Sequence, residues 1–161
     1  AKFPVLVERN DLIPDSGGAG RHRGGLGIER VVRARADTVF NTRIDRVHCM
    51  PWGLEGGGEA TGNQVSLRFE GQWKEDLENA KVMFARLKDG DAIRLRSGGG
   101  GGFGRPEERP AAHVQDDVRK GYVSRAQAEE KYGVVLDPAT LEVDEPATQR
   151  LRARMGQASG E

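Results

Sequence analysis

The sequence predicts an α+β protein, mainly β: an antiparallel sandwich or distorted barrel with short C-terminal helices. Between Phe3 and about Leu95 apolar and polar residues alternate, the pattern of strands with one buried face. Beyond Arg105 apolar residues instead recur at helical spacing. The 23 glycines among 161 residues lie in clusters without a fixed period, which argues against collagen and low-complexity sequence alike and punctuates the strands.

Val65, Leu67 and Phe69 alternate with Ser66, Arg68 and Glu70, and Ile93 and Leu95 with Arg94 and Arg96; both segments read as strands. Val32, Ala34 and Ala36, then Phe40, Thr42 and Ile44, alternate in the same way, and Asp37-Thr38 between them predicts a hairpin. Lys88-Asp89-Gly90-Asp91 separates Val82–Leu87 from Ala92–Leu95, and Asp-Gly suits a tight turn, so a second antiparallel pair is expected there.

In the tail, Pro110 opens a helix with Val114 and Val118 on one face and Gly121 at its end. Ser124 to Gln127 has capping-box spacing, Ala128 and Tyr132 share a face, and Gly133 stops that helix. Val134–Leu136 reads as a short strand, Asp137-Pro138 as a turn, and Pro146 as the start of a third helix bearing Leu151 and Met155. The expected organisation is a glycine-punctuated β domain over 1–104, a helical extension over 105–156 packing on a partner, and a frayed tail over 157–161.

Twenty-five basic residues balance twenty-five acidic ones, so no global field draws the chain to nucleic acid or an anionic membrane, and neither is expected as a partner. The single Cys49 forms no internal disulfide. No apolar run approaches the ~20 residues of a membrane span, and Ala-Lys-Phe-Pro at the start lacks signal-peptide character, so a cytoplasmic setting is expected.

Two glycine clusters are the candidate sites. Asp15, Ser16, Gly17, Gly18, Gly20, Arg21 and Arg23 sit in a run whose amides and basic residues suit an anion, yet no helical pattern follows Gly20 and the Lys-Ser/Thr ending of a phosphate loop is missing. The simpler reading is a tightly turned loop allowing close backbone approach, with arginines pairing to a neighbour's carboxylates. The run Gly98–Gly102, containing Gly100 and Gly101, carries a large ordering entropy and needs something to hold it, a partner surface being the simplest holder. Trp52 and Phe103 read as core or interface anchors.

His48 and Cys49 are neighbours, but adjacent strand side chains diverge and His22 and His113 are isolated, so a zinc site cannot be assembled. Ser16, Ser97 and Cys49 lack an identifiable orienting group for nucleophilic catalysis. No catalytic, cofactor-binding or metal-ligating residue is therefore assigned.

Four ordered motifs carry a resemblance. Pro14-Asp15-Ser16-Gly17-Gly18-Ala19-Gly20-Arg21 with Arg23-Gly24-Gly25-Leu26-Gly27, then Pro51-Trp52-Gly53-Leu54 with Gly56-Gly57-Gly58, then Gly98–Gly104, then Gly121-Tyr122-Val123-Ser124 with Lys131-Tyr132-Gly133-Val134-Val135, together resemble the C-terminal third of hydantoinase B/oxoprolinase proteins. Departures are small: His22 replaces a common aromatic and Ser97 a common Thr-Pro. The resemblance implies a C-terminal subunit or fragment completing a B-type subunit of an ATP-dependent cyclic amide hydrolase, or its counterpart in a ketone carboxylase. It also implies a hydantoinase A-type ATP-binding partner and the N-terminal part of the B-type subunit as neighbours, with ATP and a divalent metal held by those partners and no cofactor bound by this chain. A β-rich module binding a small ligand by itself is the reading from a different class.

Overall fold

The computed structural model describes residues 3–75, 77 and 79–158. Among the described residues up to Arg96 there are seven strands: β1 (Val5–Leu12), β2 (Ile28–Ala34), β3 (Thr38–Arg43), β4 (Gln64–Phe69), β5 (Gln72–Lys74), β6 (Lys81–Leu87) and β7 (Ala92–Arg96). They build an antiparallel five-stranded sheet of order β1-β2-β7-β4-β5 and a two-stranded ribbon, β3-β6. The mainly β, α+β expectation holds, in its open two-sheet form: β1 and β5 end the larger sheet and no barrel closes.

Both expected hairpins are overturned. β2 pairs with β1 and β7, β3 pairs with β6, and β6 does not pair with β7. The pairing offset is nonetheless the same from Arg33↔Ala92 through Thr38↔Leu87, so β2-β3 and β6-β7 are two arms of one long antiparallel ribbon bent at a corner. Arg35–Asp37 and Lys88–Asp91, with their turn-forming residues, are the two sides of that corner rather than reversals of the chain.

The corner is held by backbone and by one carboxylate. Ala34 N–H donates to Asp91 O and Gly90 N–H, at φ +92°, to Ala34 O. The buried Asp91 carboxylate accepts from Lys88 N (2.9 Å) and Glu70 N (3.1 Å). Asp91→Ala removes two part-buried hydrogen bonds at the bend and is expected to cost about 1–3 kcal/mol, read from the midpoint of urea unfolding.

Folding the ribbon over the sheet encloses Ala34, Val65, Leu67, Ala80, Leu87 and Ile93, with Phe40, Ile44, Val82 and Leu95 against them. The cross-strand register Val32↔Ile93↔Leu67 shows why alternation located these strands: these positions share the face the ribbon covers. The opposite face carries Arg33, Arg68, Arg94 and Arg96, paired with Glu8, Glu29 and Glu75, and the Arg68 and Arg94 guanidiniums lie over the Trp73 ring.

After a short 3-10 turn (Pro106–Glu108) come α1 (Ala111–Arg119), α2 (Arg125–Glu130) and α3 (Glu145–Ala158). Pro110 is the residue before α1, Ser124 Oγ caps α2 by accepting from Gln127 N (3.1 Å), and Gly121 and Gly133 take positive φ at the helix ends. Residues 134–136 form no regular strand; Leu136 makes a single bridge to Val143. Asp137 turns the chain by accepting from Ala139 N and Thr140 N, and these hydrogen bonds hold its carboxyl below the usual range. Part of the expected frayed tail, residues 159–161, lies outside the described residues.

Val114, Val123, Ala128, Tyr132, Val134 and Leu136 form a second core, and Ala19 of the β part packs against it. The helical segment thus rests on its own chain. No helix among the described residues is long and apolar enough to cross a membrane.

Candidate functional site

Between the two cores lies a layer made of backbone. Segments 16–27, 51–62 and 97–104 run alongside one another and exchange main-chain hydrogen bonds: Gly18 N to Gly100 O, Gly100 N to Gly25 O, Gly102 N to Gly58 O, Gly58 N to Ala19 O, Leu54 N to Gly102 O and Thr61 N to Ser16 O, all at 2.7–3.0 Å. Apart from Gly56 and Gly104, which take positive φ, the glycines here supply space rather than unusual dihedrals. Gly17, Gly18, Gly20, Gly24, Gly53, Gly57 and Gly98–Gly102 all avoid positive φ. At Gly18, Gly24, Gly57, Gly101 and Gly102 an added Cβ would fall closer than 3.0 Å to the backbone of a neighbouring segment.

The holder of the Gly98–Gly102 run is therefore the chain's own Ser16–Gly27 and Trp52–Gly58 segments, not a partner surface. Within the first cluster the amides of Asp15, Gly18, Arg21 and His22 donate to carbonyls of the chain's own Tyr122, Gly100, Gly104 and Phe103. The first cluster is the tightly turned segment expected: the chain turns at Pro14-Asp15, bends at Gly17, Gly20 and Arg21, and folds back so that Gly24 N–H donates to Gly18 O (2.9 Å).

Ser16 is fully buried; its Oγ donates to Ile13 O (2.6 Å) and accepts from Gly27 N (2.8 Å), so it clamps two strand ends. Ser97 Oγ accepts from Ile28 N (2.8 Å) in a similar role. Asp15, at φ +60°, donates its amide to Tyr122 O and accepts from Ser124 N on Oδ1 (2.7 Å), tying the layer to the start of α2.

Arg23 meets a carboxylate of its own chain where a neighbour's was expected. Its Nε and Nη2 donate to Asp117 of α1 at 3.1 and 3.3 Å, its Nη1 donates to Gly24 O (2.8 Å), and its guanidinium lies over the Tyr122 ring. Arg109 completes the link by donating to Asp117 Oδ2 (2.9 Å) and to Arg21 O (3.1 Å). Burial raises the nearby Tyr132 phenol above its ordinary value, with Arg109 and Arg23 pulling the other way.

The rim of the layer is apolar and exposed. With Gly53 turned inward against Gly57, its neighbours Trp52 and Leu54 stand outward, Trp52 at 74% exposure. Phe103 bridges to Leu54 through the backbone and its ring lies 6.2 Å from that of His22. Trp52 and Phe103 are thus surface aromatics rather than core. A cleft of about 580 Å³ is lined by His48, Met50, Glu59, Asn63, Gln64 and Arg96 among others. Cys49 is exposed, and among the described residues no three His, Cys, Asp or Glu side chains gather as a metal site.

Sequence reasoning found Asp15, Ser16, Arg23 and the glycines but missed Asp117 and Arg109. A signal existed: Asp117 lies three residues beyond Val114, on the helix face that the apolar residues mark as buried.

Fold and site together define a two-sheet β module stacked on helices through a glycine backbone layer. The chain belongs to the hydantoinase B/oxoprolinase family, whose sequence profile matches residues 1–106. It is similar to the caprolactamase subunit beta of Pseudomonas jessenii, 31% identical over 94% of this chain and 26% of that protein. It is similar as well to the acetone carboxylase alpha subunit of Xanthobacter autotrophicus, 30% identical over 94% of this chain and 24% of that one.

Among solved structures it superposes on the ATP-dependent caprolactamase of Pseudomonas jessenii with a TM-score of 0.81 at 29% identity, covering 94% of this chain and 27% of that one. On nucleotide-free acetone carboxylase the TM-score is 0.80 at 26% identity, covering 97% and 25%. The chain spans about a quarter of the length of these relatives, both of which are named as subunits.

Proposed function

We propose that this chain is a non-catalytic module completing the B-type subunit of an ATP-dependent cyclic amide hydrolase of the hydantoinase/oxoprolinase type. Its role is structural: the glycine layer makes a rigid slab, and the apolar rim of Trp52, Leu54 and Phe103 is the face that meets the remainder of the assembly. The supporting observation is the superposition of nearly the whole chain onto 27% of an ATP-dependent caprolactamase. In this reading a hydantoinase A-type subunit and the N-terminal part of the B-type subunit are the neighbours, ATP with its divalent metal sits on those neighbours, and the complex is cytoplasmic.

The equally close superposition on acetone carboxylase supports a second reading, the same part in a ketone carboxylase. Co-purification of the tagged chain from its host, followed by assay of the complex, tests both. ATP hydrolysis coupled to opening of a cyclic amide supports the first; bicarbonate-dependent ATP hydrolysis with a ketone supports the second. Recovery as a soluble monomer with no companion, or turnover by the purified chain alone, would overturn the structural role.

Trp52→Ala is the local probe. Truncating an exposed aromatic anchor is expected to weaken association by about 2 kcal/mol, roughly 30-fold, while thermal stability moves by no more than about 0.5 kcal/mol. Titration of the variant against the remaining subunits, beside a melting curve, reads both numbers.

A further inference from the structure

The two edges of the five-stranded sheet are unlike. β5 has three residues, Gln72–Lys74, and its Trp73 is covered by two arginines; a short charged edge of this kind resists pairing. β1 has eight residues, every one exposed, and opens with Val5, Leu6 and Val7 before a register shift between Val7 and Arg9.

The backbone of β1 shows where its hydrogen-bonding groups aim. Val5 lies opposite Ala34, whose N–H and C=O are used on the far side by Asp91 O and Gly90 N. Val5↔Ala34 is thus a non-hydrogen-bonded pair, and by the alternation of an antiparallel ladder so is Val7↔Val32. The C=O of Val5 and both main-chain groups of Val7 consequently point away from β2, toward the open edge. Val5 N–H is turned back onto Phe3 O (2.9 Å).

The side chains agree. Val5 and Val7 lie opposite Ala34 and Val32, on the face the β3-β6 ribbon packs against, yet the ribbon leaves them 45% and 54% exposed. The charged residues beyond are already matched: Glu8 with Arg33 and Arg68, and Arg9 with Asp11 and Glu29. What the edge offers a partner is main chain and apolar surface, and charge recognition has little part in it.

We infer that the Val5–Val7 edge of β1 accepts an extended apolar strand from the remaining three quarters of the B-type subunit, which becomes the sixth strand of the sheet beside the ribbon. The inference rests on the proposed function and names the surface through which it is exercised. The relatives carry this module within chains about four times its length, so there is chain outside the module to supply the covering strand.

Hydrogen exchange on this chain, alone and joined to the remainder of the B-type subunit, tests it together with Val7→Pro. Proline removes only the outward N–H of Val7 and leaves the β1-β2 ladder intact, so the variant is expected to fold with an unchanged circular dichroism spectrum. In the complex the Val7 amide is expected to slow by about 100-fold, and Val7→Pro to weaken association by at least about tenfold, while Val7→Thr, which keeps the N–H, retains it.

A complex that forms with Val7 exchanging as it does in the free chain, or that tolerates Val7→Pro, overturns the inference and leaves the proposed function standing. Failure of any complex to form overturns both. Protection of Val7 in the isolated chain through self-association overturns the inference by making a second copy the occupant.

Discussion

Gly24→Ala is expected to destabilise the chain by about 3 kcal/mol, a fall in melting temperature of roughly 6–12 °C for a domain of this size. The added methyl would sit against the carbonyl of Gly100, well inside the 3.0 Å that real Cβ atoms respect, and that carbonyl belongs to backbone hydrogen-bonded on both sides of Gly100. Neither segment can retreat without breaking bonds to a third. Gly25→Ala, one residue along, meets nothing within 4 Å and is expected to change stability by less than about 0.5 kcal/mol. Parallel thermal melts of the two variants separate steric packing from conformational entropy: similar losses at both positions would mean that the glycines matter for flexibility and that the layer is not close-packed.

This contrast also shows what the sequence could and could not convey. Val65, Leu67, Ile93 and Leu95 were legible as strand residues because alternation reports which face is buried, and burial is local to each strand. Pairing is not local. Asp37-Thr38 and Asp89-Gly90 carry real turn chemistry, yet turn residues serve a corner that passes the chain between sheets as well as a reversal that sends it back. Only the constant offset between β2-β3 and β6-β7 distinguishes the two, and that is a property of four separated segments.

The glycine clusters were read correctly for close approach and wrongly for what approaches. Glycine at Gly18, Gly24 and Gly102 is silent about its neighbour, since a missing side chain leaves no pattern of polarity or size to match. A small cue was available in Trp52-Gly53-Leu54, where a strand-like alternation has glycine at the inward position, the mark of a face buried against main chain. The helix signals did better: Ser124, Gly121 and Gly133 act within one turn of where they stand, so Ser124 caps and the glycines terminate as expected.

Asp117→Ala is expected to have the largest effect of any single change, about 3–5 kcal/mol. Asp117 is 8% exposed at its side chain, and its two partners, Arg23 and Arg109, are 16% and 14% exposed. Removing the carboxylate leaves two guanidiniums side by side, mostly out of water and without their counter-charge; their remaining hydrogen bonds, to Gly24 O and Arg21 O, keep them from swinging out. Because one arginine comes from the glycine layer and the other precedes α1, the loss falls on the joint between the β part and the helices. Asp117→Asn retains one acceptor and the shape but not the charge, and should fall between wild type and alanine. A double-mutant cycle of Arg23→Ala with Asp117→Ala should return a coupling of about 0.5–3 kcal/mol, little reduced by added salt because the pair is shielded from solvent. Additive losses, or a coupling that vanishes in about 1 M salt, would show that the joint is held by the Ala19 packing and the Asp15–Ser124 bond instead.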